Sequence, residues 1–314
     1  MKILGAFFRL IRLPNLFFIA LTQVLFYYAV LIPSYRVKSE SLQVHLSGHL
    51  FFLLCLSSVF IAAAGYIIND YFDLNIDRVN KPEKLVIEKN IKRRWAIIWH
   101  WILSGAGILI GFYISWKLRN IFVGVAHVIT VTLLWFYSTT FKRKLLIGNI
   151  VISLLTAWVI MVLYLCEFRI FLFANPDYHQ VLSRIYKFAI LYAGFAFIIS
   201  LVREVVKDVE DMQGDAAYNC RTMPIIWGVN VSKVFAATWL VVLIFSLIIL
   251  QFYILQYRWW WVVAYSFLLI IIPLLLILRN LYEANITSDY RRLSSRIKLV
   301  MLAGILSLSL FLTF

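Results

Sequence analysis

Hydrophobic residues run through the chain in long unbroken stretches, without the alternation or helical periodicity of soluble proteins. A helix needs about 20 apolar residues to cross the hydrocarbon core of a bilayer. Nine stretches meet this length and predict membrane-spanning helices at 14–33, 47–68, 95–116, 120–140, 147–166, 185–206, 232–254, 258–278 and 297–314. A membrane β-barrel would instead show alternating segments of about ten residues. The predicted fold class is all-α, a polytopic membrane protein with one domain over residues 1–314.

Lysine and arginine are distributed unequally between the two sides of this predicted bundle. Of the 30 basic residues, 22 lie on the side that carries the N-terminus. Cytoplasmic loops collect positive charge, so we expect a multi-pass protein of the cell (inner) membrane with a cytoplasmic N-terminus and the C-terminus on the opposite side. The net charge of +15 then reflects topology and attraction to anionic lipids. The basic residues are spread over five segments, which argues against a nucleic acid partner.

Acidic residues are concentrated in two short stretches at predicted cytoplasmic helix ends. Eight of the fifteen lie in "NDYFDLNID", residues 69–77, and "REVVKDVEDMQGD", residues 203–215. At helical spacing, Asn69, Asp70, Asp73 and Asp77 fall within an arc of about 100°, and Glu204, Asp208, Asp211 and Asp215 within about 60°. Each stretch therefore presents one acidic face.

Two acidic faces at a membrane boundary require a counter-charge, because like charges repel unless a cation lies between them. One interpretation is that each acidic face only pairs with nearby Lys and Arg. A face that is simply solvated does not need its acidic residues aligned on one side of the helix, which argues against this interpretation. Carboxylate and amide oxygens in this pattern suit Mg²⁺, which commonly bridges carboxylates to substrate phosphates. The sequence therefore predicts Mg²⁺ as the cofactor and a diphosphate as the substrate.

A polyisoprenyl diphosphate fits a site at this depth, because its head needs water and its tail needs the apolar interior. We expect this donor, a lipid-like acceptor and membrane lipids as partners, and no obligate protein partner. Basic residues would assist the leaving diphosphate, and the candidates are Lys142, Arg143, Arg203, Lys207 and Arg221. For Arg143 and Lys144 we favour a role as anchors at the membrane surface.

The two acidic stretches resemble the motifs of a known family. "NDYFDLNID" is similar to the NDxxDxxxD motif of the UbiA superfamily of intramembrane prenyltransferases, and "DVEDMQGD" resembles its second aspartate-rich motif. "RLIRLPNLFF" and "YSTTFKRKLLIGN" are similar to further segments of that superfamily. The resemblance covers most of the chain, and it implies a UbiA-like fold of nine helices around a central cavity with magnesium at its cytoplasmic mouth.

The resemblance also implies roles for individual residues. The implied metal ligands are Asn69, Asp73, Asp77, Asp208, Asp211 and Asp215. Catalytic roles are expected for Asp70, Tyr137, Lys142 and Glu204, with Asp70 and Glu204 as candidate proton acceptors. Contacts with substrate are expected for Asn15, Lys84, Ser138, Arg203, Lys207 and Arg221.

One branch of the superfamily is especially similar. "REVVKDVEDMQGD" followed by "RTMPIIWG" resembles the digeranylgeranylglyceryl phosphate synthases, which transfer a geranylgeranyl group to the hydroxyl of geranylgeranylglyceryl phosphate and so form an ether lipid. The chain departs from the family at Lys84 and Leu85, where Arg and Pro are usual, and at Asn219, where the branch usually has Gly. Lysine keeps the positive charge but lacks the two-point grip of a guanidinium.

Two alternative functions remain from the sequence. The first is an aromatic prenyltransferase of quinone biosynthesis, with an acceptor such as 4-hydroxybenzoate. The second is an ion-coupled transporter, in which intramembrane acids would relay ions. The transporter is disfavoured because the acids lie at helix ends on one side, away from the middle of the membrane.

Overall fold

The fold is built almost entirely from α-helices. The computed structural model describes residues 2–36, 42–169 and 175–313. Nine helices in this part of the chain are long and apolar enough to cross a membrane, at Leu13–Arg36, Gly48–Asn80, Arg93–Leu118, Ile121–Thr139, Ile147–Glu167, Pro176–Glu210, Val229–Leu255, Trp260–Glu283 and Thr287–Leu312. We number them spans 1 to 9. The predicted all-α class with nine spans is confirmed for the described residues, which contain no strand.

The chain divides into two compact units, each with its own hydrophobic core. The first unit contains Met1–Lys142 and Trp158–Leu191, and the second contains Arg143–Ala157 and Tyr192–Phe314. Spans 1 to 4 belong to the first unit and spans 7 to 9 to the second. Spans 5 and 6 each contribute a segment to both units. That residues 1–314 form a single family domain stays a prediction.

Several spans are longer than the hydropathy pattern predicts. Span 2 was expected to end at 68 and continues to Asn80, because polar side chains lower hydropathy without breaking a helix. Span 6 begins at Pro176 instead of 185 and has 35 residues, which corresponds to about 52 Å. The hydrocarbon core is only about 30 Å thick. Helix ends therefore project beyond the hydrocarbon, and the acidic stretch 69–77 is helical throughout.

Two spans contain a π-helical stretch just before a proline. The stretch Tyr27–Leu31 precedes Pro33 in span 1, and Phe267–Ile271 precedes Pro273 in span 8. Proline lacks an N–H group, and its ring clashes with the carbonyl four residues earlier in a regular α-helix. A wider turn relieves this clash, so both spans continue through their proline without ending.

In the first unit, a short amphipathic helix supports the acidic end of span 2. This helix, Lys2–Leu10, buries Ala6 and Leu10 completely. Phe7 packs edge-on against Trp99, with ring centroids 4.7 Å apart. The same core includes Ile67, Leu74, Val86, Ile87 and Ile91. The N-terminal helix and the loop after span 2 therefore hold the helix that carries the first acidic stretch.

Spans 3 and 4 approach each other closely in the first unit. A Cβ atom on Gly111 would lie 2.4 Å from the ring of His127, so only glycine fits at this contact. The His127 ring is itself held, because one nitrogen bonds to the carbonyl of Val123 at 2.7 Å and the other to the Ser57 hydroxyl at 3.0 Å. This packing holds spans 3 and 4 together at the level of His127.

In the second unit, an apolar stripe on span 6 sets the direction of its acidic face. Val202, Val205, Val206 and Val209 are all buried, at the spacing of one helical face, and they join a core formed with spans 7, 8 and 9. The acidic positions Glu204, Asp208 and Asp211 do not share that spacing. Burial of the valines therefore turns the carboxylates away from the apolar core.

The distribution of basic residues predicts which side each helix end faces. In a variant without Cys55, Cys166 and Cys220, single cysteines replacing Lys144 and Ser288 should react with an impermeant thiol reagent from the cytoplasmic side only. A cysteine replacing Asp177 should react only from the opposite side. Labelling of intact cells and inverted vesicles measures both, and the reverse pattern would contradict a cytoplasmic N-terminus.

Candidate active site

The first acidic cluster lies on the last turns of span 2, in the first unit. Asn69 and Asp73 are one helical turn apart, and Nδ2 of Asn69 donates to Oδ2 of Asp73 at 2.7 Å. Asp73 is only 3% exposed. Oδ1 of Asn69 is buried and has no hydrogen-bond partner among the described residues. A buried amide oxygen without a donor is costly, which marks this position as a place for an electropositive ligand.

Two cations from other elements neutralise this cluster. The Lys142 ammonium contacts Oδ2 of Asp73. Arg12 donates through Nη2 to Oδ1 of Asp70 at 2.6 Å, and its guanidinium lies 5.2 Å from the ring centre of Tyr66. Pairing with nearby Lys and Arg, one of the two interpretations of the sequence, therefore occurs at this cluster.

The Lys142 side chain is held in its charged form. Burial has the largest single effect and lowers the pKa of Lys142, but nearby negative groups together outweigh burial, Asp73 contributing most, and the pKa is raised. Tyr137 and Asp77 add to this effect. Asp77 lies one turn beyond Asp73 and feels the charges of Asp73, Lys142, Asp70 and Arg12. The predicted residues Asp70, Tyr137 and Lys142 therefore act on one electrostatic centre with the acids of span 2.

Three other residues of the first unit were predicted to contact substrate. Ser138 is buried, and its hydroxyl donates to the carbonyl of Leu134 within its own helix at 3.0 Å. Asn15 is in the first turn of span 1, where its backbone N–H donates to the Arg12 carbonyl at 2.8 Å. Lys84 ends a short 3₁₀ turn, and its side chain lies outside the described part of the structure. The substrate contacts expected for these three residues stay predictions.

The second acidic cluster lies at the end of span 6, in the second unit. Nδ2 of Asn149 donates to Oδ2 of Asp208 at 2.8 Å. Glu204 is held by two neighbours, since Arg203 contacts Oε1 at 2.8 Å and Lys207 contacts Oε2 at 3.1 Å. The predicted residues Glu204, Arg203 and Lys207 thus form one ion-paired group. Nε of Arg203 is buried and has no hydrogen-bond partner in the described chain.

The helix that carries the second cluster is interrupted at Asp211. Span 6 ends at Glu210, Asp211 has φ −96° and ψ 4°, and a new helix runs over Met212–Ala217. The helical bonding pattern continues across the interruption, because the Asp211 N–H donates to Lys207 and the Asp215 N–H to Asp211. The spacing from Asp208 to Asp215 is therefore close to that of one continuous helix, as the helical spacing of the acidic residues predicts. Asp215 is 6% exposed.

A tight turn follows the second cluster. The Cys220 N–H donates to the Asp215 carbonyl at 3.0 Å, and the Arg221 N–H donates to the Arg143 carbonyl at 2.8 Å. Asn219 has φ 56°, in the left-handed region that favours glycine. Asparagine is among the residues that tolerate this region best. The replacement of the usual glycine by Asn219 therefore keeps the turn, and the exposed Arg221 side chain is carried on it.

Sequence reasoning missed two residues that contact the acids. Arg12 was counted only as a topology signal, although it lies in "RLIRLPNLFF", and Asn149 was not assigned a role, although it lies in "YSTTFKRKLLIGN". Both segments were recognised as similar to the superfamily. The resemblance of the two segments to the superfamily was the available signal for these polar residues.

The donor atoms fit a hard divalent cation in their chemistry. In the described residues, no three His, Cys, Asp or Glu side chains form a group that could hold a metal ion as they are arranged. The available atoms are nevertheless all oxygen donors, and one of them, Oδ1 of Asn69, is buried without a partner among the described residues. Mg²⁺ prefers such oxygens and uses only one or two carboxylates with substrate phosphates, so three converging acids are not required.

The fold and the acidic helix ends define a multi-pass membrane protein with an acidic cluster on each of two spans. The pattern that describes the UbiA prenyltransferase family matches residues 30–302. The chain therefore belongs to the UbiA prenyltransferase family.

Individual relatives agree with this family. The digeranylgeranylglyceryl phosphate synthase of Methanothermobacter thermautotrophicus is 32% identical over 200 residues, which are 63% of this chain and 64% of the relative. The match thus spans just under two thirds of that relative's length. A solved structure of digeranylgeranylglyceryl phosphate synthase has a TM-score of 0.59 and 24% identity, over 98% of this chain and 99% of the other.

A second solved structure is more distant in sequence. It is a UbiA homologue from Archaeoglobus fulgidus bound to DMAPP and Mg²⁺, with a TM-score of 0.54 and 15% identity, over 96% of this chain and 99% of the other. At these identities, the likeness to the two solved structures establishes the fold.

The Arg12–Asp70 pair predicts a measurable effect on stability. Arg12→Gln leaves the partly buried Asp70 carboxylate without its counter-charge, and the free energy of unfolding should fall by about 1–2 kcal/mol, between the values for exposed and buried pairs. Thermal unfolding of the purified protein in detergent measures this change. Arg9→Gln is the matched control, because Arg9 is exposed on the N-terminal helix, three residues before Arg12. An equal loss in both variants would contradict a specific role for the pair.

Proposed function

We propose that the protein transfers a geranylgeranyl group from a polyisoprenyl diphosphate to the hydroxyl of geranylgeranylglyceryl phosphate, forming an ether lipid at the cytoplasmic face of the cell membrane. The observation that carries this proposal is the segment 203–224, whose acids, tight turn and "RTMP" sequence resemble the synthases of this lipid. A 32% identical relative with that name supports it. The match covers less than two thirds of that relative, so the acceptor is an inference from similarity.

Divalent metal use fits the same proposal. The residues that would hold Mg²⁺ are Asn69, Asp73 and Asp77 in the first unit, and Asp208, Asp211 and Asp215 in the second. When bound, the metal would neutralise charge that develops on the leaving diphosphate. A homologue of the same fold bound to DMAPP and Mg²⁺ supports this role.

The cationic side chains of the first unit would stabilise the leaving group. The allylic C–O bond breaks with its electron pair passing to the diphosphate, so negative charge increases on the diphosphate oxygens. Lys142 has a raised pKa and stays charged at neutral pH, which lets its ammonium donate to such an oxygen. A cation placed where charge develops lowers the barrier to ionisation.

The acceptor hydroxyl would react after ionisation has begun, because a neutral hydroxyl is a poor nucleophile. Its oxygen forms the new C–O bond to the allylic carbon, and its proton passes to a carboxylate or to the departing diphosphate. Glu204 uses both carboxylate oxygens for Arg203 and Lys207, whereas Asp70 uses Oδ1 for Arg12. A carboxylate with both oxygens ion-paired is the weaker base, so Asp70 is the better candidate of the two.

The acid clusters predict a loss of activity on single substitution. Asp73→Asn and Asp215→Asn should each lower kcat by about 10²-fold or more, because each removes a negative charge that would help to hold the metal. Turnover of radiolabelled geranylgeranyl diphosphate with Mg²⁺ measures the effect. Asp177→Asn is the control, since Asp177 is an exposed acid at the other end of span 6. A correctly folded Asp73→Asn or Asp215→Asn variant with the original rate would contradict the two-cluster proposal.

The acceptor is tested by competition. Geranylgeranylglyceryl phosphate and 4-hydroxybenzoate are offered together with geranylgeranyl diphosphate, and mass spectrometry identifies the product. We expect the ether product, because cations such as Arg203 and Arg221 give an acceptor with its own phosphate additional partners. A product prenylated on aromatic carbon, with no ether formed, would replace the proposed acceptor by the quinone-type alternative and leave prenyl transfer unchanged.

A further inference from the structure

One carboxylate oxygen of the first cluster has two donors at the same time. Oδ2 of Asp73 accepts from Nδ2 of Asn69 at 2.7 Å and also contacts the Lys142 ammonium. Asp73 is 3% exposed, so this oxygen is directed into the protein. The three groups come from span 2 and from the segment that follows span 4, and all belong to the first unit.

This arrangement is not compatible with a divalent cation bound jointly by Oδ1 of Asn69 and Oδ2 of Asp73. An asparagine binds a cation through its oxygen, whereas its NH₂ group is only a donor. Here the NH₂ group points at Asp73, and Oδ1 is buried without a partner in the described chain. Joint binding through Oδ2 therefore requires the Asn69 amide to turn over and the Lys142 ammonium to leave this oxygen.

Lys142 can leave its carboxylate partner, Asp73, more readily than Arg12 can leave Asp70. Lysine is a compact charge on a flexible four-carbon chain, so it can exchange one anionic partner for another nearby. Arg12 pairs with a different acid, Asp70, and its guanidinium also lies over the Tyr66 ring. Two contacts of different kinds hold Arg12, so it supplies a fixed charge while Lys142 supplies a movable one.

We propose that Lys142 and the divalent cation compete for Asp73, so that metal binding releases the Lys142 ammonium to grip the substrate diphosphate. This inference rests on the proposed metal-dependent function and adds an order of events to it. The diphosphate gives the released ammonium a new anionic partner and thus favours metal binding. By linkage, the metal favours diphosphate binding to the same extent.

The competition predicts that removing the ammonium tightens metal binding. Mn²⁺ affinity of the full-length protein in detergent is measured by electron paramagnetic resonance, without substrate and therefore independently of turnover. Lys142→Met and Lys142→Gln should each bind Mn²⁺ about tenfold more tightly than the unaltered protein, since a partly buried ion pair no longer has to be broken. Lys142→Arg keeps the cation and should stay close to the unaltered affinity.

Lys144→Met is the matched control for net charge. It removes the same charge two residues away, at an exposed position of the same loop, and should change Mn²⁺ affinity by less than about twofold given screening at the surface. Equal affinity of the Lys142 variants and the unaltered protein would overturn the competition, as would equal tightening by Lys144→Met. Weaker Mn²⁺ binding by Lys142→Met and Lys142→Gln, with an unchanged circular dichroism spectrum, would mean that Lys142 stabilises the metal site. This result would also overturn the competition. Absence of Mn²⁺ binding in every protein would instead contradict the proposed metal-dependent function itself.

Discussion

The need to neutralise carboxylates at the edge of a membrane governs this structure more than any other constraint. An ionised carboxylate loses several kcal/mol of hydration when it is taken from water, so it needs partners close by. Asp73 is nearly fully buried and receives both an ammonium and an amide N–H. Asp70 receives a guanidinium from the chain before span 1. The positions of Lys142 and Arg12 are therefore set by the acids that they accompany.

Packing of apolar side chains positions the helix ends that carry these charged residues, although the apolar residues do not contact the charges themselves. The valine stripe of span 6 is purely a matter of packing, yet it orients a helix end that carries charge. The N-terminal helix does the same by burying Ala6 and Leu10 beside span 2. Because such packing leaves few alternatives for the helix axes, the charged side chains are presented in fixed places.

The sequence predicted what depends on one-dimensional patterns and missed what depends on distant contacts. Nine apolar stretches gave the class and number of spans, since spanning length is a property of each stretch alone. The ends of spans 2 and 6 were wrong because hydropathy reports the hydrocarbon core, and these helices continue beyond it. Arg12 lies 58 residues from Asp70, and Asn149 lies 59 residues from Asp208. No local periodicity indicates such pairs.

The two acidic stretches are neutralised in different ways, and this difference bears on how each can respond to a ligand. In the second stretch Glu204 is paired with Arg203 and Lys207, its neighbours on the same helix, so these pairs need no contact with another element. In the first stretch the cations arrive from segments 58 and 69 residues away, and one of them is a lysine. A partner held by tertiary contact can be exchanged while the helix stays in place. A change of partner by Lys142 in the first stretch therefore alters a contact between two elements, whereas the pairs of Glu204 in the second stretch lie within one helix.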